Sequence, residues 1–252
     1  MKKQNTKILT QSDIEVGLAE LGVTKGMALE IHSSLSSFGQ VEGGAKTIIS
    51  ALVNVVGSEG SLIMPTFPWS LPYDLTDIEK KCGITLKLRI FSPDSKERSG
   101  MGIIADTFRD MPEIITGDDL HRVSAWGKDA KKHSKGFSHL LDNNGYALLL
   151  GVDIHSLTSM HYQEENLPDK IKNIFKASDD ILKDYPSDKW YIETGLPSVD
   201  VWGKIQLEAD KKGFIHHLKI GKAECMFFKV RDVVDIYKKA IENDPFGLYE
   251  LK

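Results

Sequence analysis

Residues 27–64 read MALEIHSSLSSFGQVEGGAKTIISALVNVVGSEGSLIM, with two short apolar runs on either side of one longer amphipathic stretch. Residues 27–31 and 61–64 have the length and composition of buried strands. Between them, over residues 45–56, apolar side chains recur at helical spacing and lie on one broad face. Gly57 ends that stretch. The segment therefore predicts a strand, a helix and a second strand in succession.

The neighbouring elements extend this alternation. A helix is predicted over residues 12–21, where Ser12 and Glu15 fit a capping box. Residues 146–150 form a continuous apolar run that is typical of a central strand. Alternating helices and strands favour a mixed α/β fold in which helices flank a sheet.

The rest of the chain adds helices and one long connection. Helices are predicted over residues 101–108, 158–166 and 230–243. Residues 65–98 contain four prolines and four aromatic residues and predict a long loop of the functional kind. Neither an internal repeat nor a Gly/Ser-rich linker divides the sequence, so we expect one domain over residues 1–252.

The composition excludes several classes of protein. The 252 residues include 36 acidic and 32 basic side chains, for a formal net charge of −4, whereas a nucleic-acid-binding domain usually has a basic excess. No apolar run is long enough to cross a bilayer, and the basic residues 1–7 lack the apolar segment of a signal peptide. Cys82 and Cys225 form no CxxC pair, which argues against a disulfide framework and a thiolate zinc cluster. We expect a cytoplasmic protein with neither nucleic-acid nor membrane partners.

Residues 150–165, LGVDIHSLTSMHYQEE, carry polar side chains just after a strand, where ligands bind in α/β proteins. On a helix capped by Thr158, His161 and Glu164 lie one turn apart, so the carboxylate can orient the imidazole as a general base. An exposed helix with no catalytic role is the alternative. His155, His161 and Glu165 are possible metal ligands, but no HExxH motif occurs and we expect no metal.

Two further segments carry residues that could bind a ligand or take part in catalysis. The turn after the first strand exposes backbone N–H groups and hydroxyls over residues 32–36, which suits a phosphate, although neither GxGxxG nor a P-loop is present. An ordinary Ser-rich turn is the alternative. In residues 118–127, His121 and Ser124 could face a site, but no GxSxG elbow of a serine hydrolase occurs.

Three blocks, taken together, resemble the aminoglycoside 3-N-acetyltransferase family in order and spacing. They are residues 32–45 with 62–66, residues 121–130, and residues 148–164. With the C-terminal helix included, the similarity runs from about Thr10 to Pro245. The resemblance implies an α/β/α sandwich and an acyltransferase that uses acetyl-CoA as co-substrate, with a small-molecule amine as acceptor.

The resemblance also implies roles for individual residues. The expected cofactor contacts lie in the first two blocks and are His32, Ser33, Ser34, Leu35, Ser36 and Ser124. Of these, residues 33–36 would cradle the CoA diphosphate and pantetheine. His161 would be the catalytic base, Glu164 its partner and His121 a second catalytic candidate. The loop over residues 65–98 would line the acceptor cleft.

Two departures from the family pattern leave the acceptor open. Asp118 and Asp119 replace the usual His-Pro pair, and residues 155–158 read HSLT in place of Asp-x-Asn-Thr. The expected acceptor is an aminoglycoside or a related amino sugar. The alternatives are an amino-sugar nucleotide used in surface polysaccharide synthesis, a catalytically silent CoA-binding relative, and a metal hydrolase. The oligomeric state is open, with a homodimer as one alternative.

Overall fold

The computed structural model describes residues 8–92, 95, 97–195 and 199–251, so the basic residues 1–7 and Pro93 lie outside the described part. Its strands are β1 (Ala28–Ser33), β2 (Ser61–Pro65), β3 (Ile84–Arg89), β4 (Ile115–Thr116), β5 (Val123–Gly127), β6 (Tyr146–Leu150), β7 (Trp190–Thr194), β8 (His216–Ile220) and β9 (Ala223–Lys229). Seven of them form a sheet in the order β4-β5-β2-β1-β6-β9-β8, while β3 and β7 form a separate ribbon. β2, β1 and β6 run parallel at the centre of the sheet, and its outer pairs are antiparallel.

Helices cover both faces of the sheet. They are α1 (Gln11–Leu21), α2 (Ala45–Val56), α3 (Asp77–Lys81), α4 (Ile103–Arg109), α5 (Ala130–His133), α6 (Ser138–Asp142), α7 (His161–Glu164), α8 (Asp169–Phe175), α9 (Asp179–Asp184), α10 (Val201–Lys211), α11 (Val230–Asn243) and α12 (Pro245–Leu248). α1, α2 and α4 pack on one face, and α5, α6, α10 and α11 pack on the other. This arrangement confirms the predicted α/β/α sandwich. Among the described helices, none has both the length and the apolar character needed to span a bilayer.

The period of two along β1 divides its side chains between the two faces. Leu29 and Ile31 point into the core beneath α1 and α2. Glu30 and His32 therefore point to the opposite face, and both are buried there. The strand ends at Ser33, beside the end of β6, which places the chain segments that follow these two strands next to each other.

Most of the periodic segments form where the sequence predicts them, and α1 shows the main difference at a helix end. Its N-cap is Thr10, which forms a capping box with Asp13. The predicted box of Ser12 and Glu15 does not form, because the helix begins at Gln11 and Ser12 already lies within its first turn. Gly22 ends the helix with a φ of 108°, as its position predicts.

The described part of residues 65–98 is more ordered than the predicted loop. It contains α3 and β3, and β3 pairs with β7 from much later in the chain. Trp69 also bridges to Ile90, so the segment folds back on itself. The ribbon of β3 and β7 packs through its own aromatic clusters beside the main sheet.

Candidate functional site

The segment that follows β6 carries the predicted catalytic residues. It forms 3₁₀ turns at Ile154–Ser156 and Thr158–Met160, and α7 then begins at His161. The predicted helix over residues 158–166 is therefore shorter and partly 3₁₀. Thr158 does not cap it, since the residue before the turn is Leu157 and no side-chain cap bond forms.

His161 and Glu164 pair as the spacing predicts. Nδ1 of His161 lies 2.7 Å from Oε2 of Glu164 and donates to it, which leaves Nε2 as the basic nitrogen. The edge of the Trp202 ring packs against the imidazole at a centroid distance of 4.8 Å. Desolvation lowers the pKa of His161, but the hydrogen bond and charge of Glu164, aided by the charges of Glu193 and Glu30, raise it above its ordinary value.

Two cavities meet at this histidine. A smaller cavity of about 280 Å³ extends towards the end of β1, and a larger one of about 560 Å³ extends towards the β3–β7 ribbon. The residues that line both are Phe67, Trp69, Thr158 and His161. His161 can therefore contact molecules bound on either side.

The smaller cavity contains part of the predicted cofactor turn. His32 and Ser33 line it. Ser34 begins the 3₁₀ turn Leu35–Phe38 and donates its backbone N–H to Leu150 O at 3.0 Å. The hydroxyls of Ser34 and Ser36 lie 3.1 Å apart near the surface. The side chain of Leu35 packs against the core, so only its backbone is available to a ligand.

His155 also lines the smaller cavity and is fixed by two carboxylates. Nε2 lies 2.8 Å from Asp200 and Nδ1 lies 3.2 Å from Asp153. Desolvation lowers the pKa of His155, but the hydrogen bond and charge of Asp200, with help from Asp153, raise it overall. His155 and His161 are thus each paired with their own acids, and the described residues contain no group of three metal-ligating side chains.

The larger cavity has aromatic walls. Trp69 and Tyr191 stack at a centroid distance of 4.6 Å with an interplanar angle of 20°. His121 packs edge-on against Phe67 and Trp69, at 5.4 Å and 5.3 Å. Desolvation against these rings lowers the pKa of His121, and the charge of Asp119 offsets only part of that effect.

Two carboxylates lie among these aromatic groups. Glu165 and Glu193 line the larger cavity, and Tyr191 donates a 2.7 Å hydrogen bond to Glu193. Tyr191 and Glu193 escaped the sequence analysis because they lie on β7, which reaches the site only by pairing with β3. The sequence WYIET, rich in β-branched and aromatic residues, was the available signal for a strand, but it does not show where that strand pairs.

Ser124 does not reach either cavity. It is fully buried, and its hydroxyl lies 2.8 Å from the hydroxyls of both Thr66 and Thr116. The prediction that it contacts a cofactor therefore fails on geometry, because the alternation along β5 turns this side chain away from the cleft. His121, His161 and Glu165, which come from two of the segments singled out in the sequence, all line the larger cavity.

The comparisons with known proteins match this architecture. A family profile described as aminoglycoside 3-N-acetyltransferase matches residues 31–242. The SPbeta prophage-derived aminoglycoside N(3')-acetyltransferase-like protein YokD of Bacillus subtilis (strain 168) is 30% identical over 272 residues, which cover 93% of each chain.

Solved structures share the fold. The apoenzyme of aminoglycoside acetyltransferase AAC(3)-IVa has a TM-score of 0.73 at 19% identity, covering 97% of this chain and 92% of that one. AAC-IIIb in binary complex with CoASH has a TM-score of 0.68 at 18% identity, covering 94% and 97%. The profile match and the relative that is similar over 93% of its length confirm the predicted family and its acyltransferase class, and the chain belongs to the aminoglycoside 3-N-acetyltransferase family.

Proposed function

We propose that the protein is an acetyl-CoA-dependent N-acetyltransferase that acts on an amine of an aminoglycoside or a related amino sugar. The observation that carries this proposal is the position of His161, which lies between two cavities and is held by Glu164. A base in that position can contact an acceptor amine on one side while a thioester occupies the other.

The smaller cavity fits the donor. Its lining includes His32 and Ser33 at the end of β1, next to the turn that carries Ser34 and Ser36. Hydroxyls and backbone N–H groups after a strand suit the anionic oxygens of a CoA diphosphate. On the same side, Asp200 and Asp153 raise the pKa of His155 and so favour its protonated form.

The transfer step needs one proton acceptor and no covalent enzyme intermediate. Nε2 of His161 takes a proton as the acceptor nitrogen forms a bond to the thioester carbonyl carbon. The carbon–sulfur bond then breaks, and the imidazolium returns the proton to the departing thiolate. Neither cysteine lines the two cavities, and burial raises the pKa of Cys225 to about 11, which disfavours a ping-pong route through a thiolate.

Thr158 is the proposed donor to the developing oxyanion. It lines both cavities, and its backbone lies in the 3₁₀ turn that leads directly into His161. A fixed hydroxyl at the junction can donate to the carbonyl oxygen as negative charge develops there.

The larger cavity fits a cationic sugar. Aromatic faces suit the apolar face of a sugar ring, and Glu165 and Glu193 can pair with ammonium groups. The same two carboxylates disfavour an acceptor that carries a diphosphate. AAC(3)-IVa is also known in complex with apramycin.

An acceptor screen tests the proposal. Purified protein is mixed with acetyl-CoA and either aminoglycosides or amino-sugar nucleotides, and thiol release and a product mass gain of one acetyl group are measured. His161→Ala is the matched control for non-enzymatic acetylation. Activity confined to amino-sugar nucleotides would overturn the proposed acceptor but not acetyl transfer itself. Thiol release equal to that of His161→Ala with every acceptor would overturn the proposal that the protein is an acetyltransferase with His161 as its base.

A further inference from the structure

Glu30 is a charged residue at the centre of the sheet. It lies on β1 between Leu29 and Ile31, and its side chain is fully buried. Its strand partners are apolar, Ile63 on one side and Ala147 on the other. A buried carboxylate carries a desolvation cost that an apolar side chain at this position would avoid, so its presence requires an explanation.

One oxygen of Glu30 joins β1 to the turn that precedes the proposed base. Oε1 accepts the backbone N–H of Ser159 at 3.0 Å. Ser159 lies two residues before His161, within the 3₁₀ turn Thr158–Met160. The same oxygen lies 2.9 Å from Nε2 of His32, which lines the smaller cavity. A single carboxylate oxygen thus contacts both the turn before His161 and a residue of the smaller cavity.

The other oxygen has no such structural role. Oε2 of Glu30 and the hydroxyl of Ser159 are both buried without a hydrogen-bond partner in the described part of the chain. Structural carboxylates in protein cores are normally satisfied at both oxygens. The negative charge of Glu30 also acts on the His161 imidazole, since Glu30 is the last of the groups that favour its protonated form, after Glu164 and Glu193.

Charged groups reach His161 from every side of the cleft. Glu164 lies on its own helix, Glu193 comes from β7 and Glu30 comes from β1 beneath. His121 lies across the larger cavity, and Trp202 on α10 contributes only an uncharged ring. Glu30 differs from the other two acids because it is buried and cannot be reached by an acceptor.

We propose that Glu30 is a positioning residue of the transfer reaction, whose buried carboxylate holds the Thr158–Met160 turn in place and supplies a fixed negative charge beneath His161. The kinetic consequences of this proposal rest on the proposed function. The hydrogen bonds of Glu30 and its effect on the pKa of His161 do not depend on that function. Glu30 touches neither cavity; it acts through Ser159 and His32.

Two substitutions of Glu30 separate its hydrogen bond to the turn from its negative charge. Glu30→Gln keeps a carbonyl oxygen for the Ser159 N–H but removes the charge, so the acid limb of the kcat/KM profile should move to lower pH with KM for acetyl-CoA nearly unchanged. Glu30→Leu removes the acceptor as well, and the loss of base alignment should lower kcat by about 10²-fold. Glu79→Gln is the matched control, because Glu79 is a buried glutamate bonded to Lys87 and Tyr185 on the ribbon side.

A direct titration makes the test independent of activity. The imidazole of His161, labelled with ¹⁵N, is followed by NMR against pH in the full chain without substrate, with His161→Ala used to assign the signal. We expect its pKa to fall in Glu30→Gln and to stay at the wild-type value in Glu79→Gln. An unchanged titration in Glu30→Gln would overturn the proposal even if Glu30→Leu failed to fold. Absence of transferase activity with every acceptor would contradict the proposed function, but it would not change the NMR result for Glu30.

Discussion

The pairing of His161 and Glu164 makes a quantitative prediction. Nδ1 and Oε2 lie 2.7 Å apart, the length of a charge-assisted hydrogen bond. Such bonds contribute about 1.5–3 kcal/mol, and the partial exposure of the pair, 59% for His161 and 34% for Glu164, favours the lower end. Since about 1.4 kcal/mol corresponds to a factor of ten in rate, Glu164→Gln should lower kcat/KM about tenfold.

The substitution should also change the pH dependence in a defined direction. The base works only when neutral, so activity should rise with pH as His161 loses its proton, and the raised pKa places that rise above the usual range for histidine. Glu164→Gln removes the hydrogen bond and the charge that favour the imidazolium. The acid limb should therefore move to lower pH as the rate above it falls.

A double-mutant cycle with His161→Ala tests the reasoning. Loss of a general base typically costs about 10²–10⁴-fold, and CoA binding measured by calorimetry should stay close to wild type. If Glu164 acts only through His161, the double variant should be no slower than His161→Ala alone. A further tenfold loss in the double variant would show that Glu164 contacts the substrate itself, and near wild-type turnover by His161→Ala would remove His161 as the base.

Three further outcomes follow from the two cavities. Ser34→Asp should place a negative charge beside the CoA phosphates and weaken CoA binding at least tenfold by calorimetry, whereas equal affinity would place the cofactor elsewhere. Thr158→Val should lower kcat by about 10²–10³-fold with little change in KM, and a loss confined to KM would make Thr158 a binding residue instead. Glu165→Gln should raise KM for an aminoglycoside and flatten the increase of KM with salt; an unaltered salt dependence would mean that this carboxylate does not pair with the acceptor.

The periodicity of apolar residues predicted correctly the position of helices and strands that bury one continuous apolar face. The helix Ala45–Val56 and the strand Tyr146–Leu150 have the predicted bounds, because their apolar faces specify both period and length. Ends were harder, as α1 shows, because Thr10 and Ser12 offer similar capping chemistry two residues apart. The β3–β7 ribbon was hidden, since its strands lie about a hundred residues apart in the chain and pair only in the folded protein.

The residues of the site also fall into those that local sequence predicts and those that only the folded protein brings together. The spacing of His161 and Glu164 is local and was readable from one helical turn. Ser124 was misplaced because the sequence does not state which face of β5 meets the cleft. Glu30 was visible in the sequence as a glutamate within an apolar strand. Periodicity alone gives no role to such a residue.

Two histidines face the larger cavity, and their surroundings give them different roles. Desolvation against Phe67 and Trp69 lowers the pKa of His121, and no carboxylate hydrogen-bonds to its ring in the described structure. It therefore stays neutral and without an orienting partner over the range in which His161 is still losing its proton. A base of higher pKa gains more from accepting a proton, and Glu164 fixes its tautomer, so in the proposed reaction we assign proton removal to His161. In the same proposal His121 contacts the acceptor as an uncharged, edge-packed ring, and this role does not oppose the approach of an ammonium group to Glu165 and Glu193.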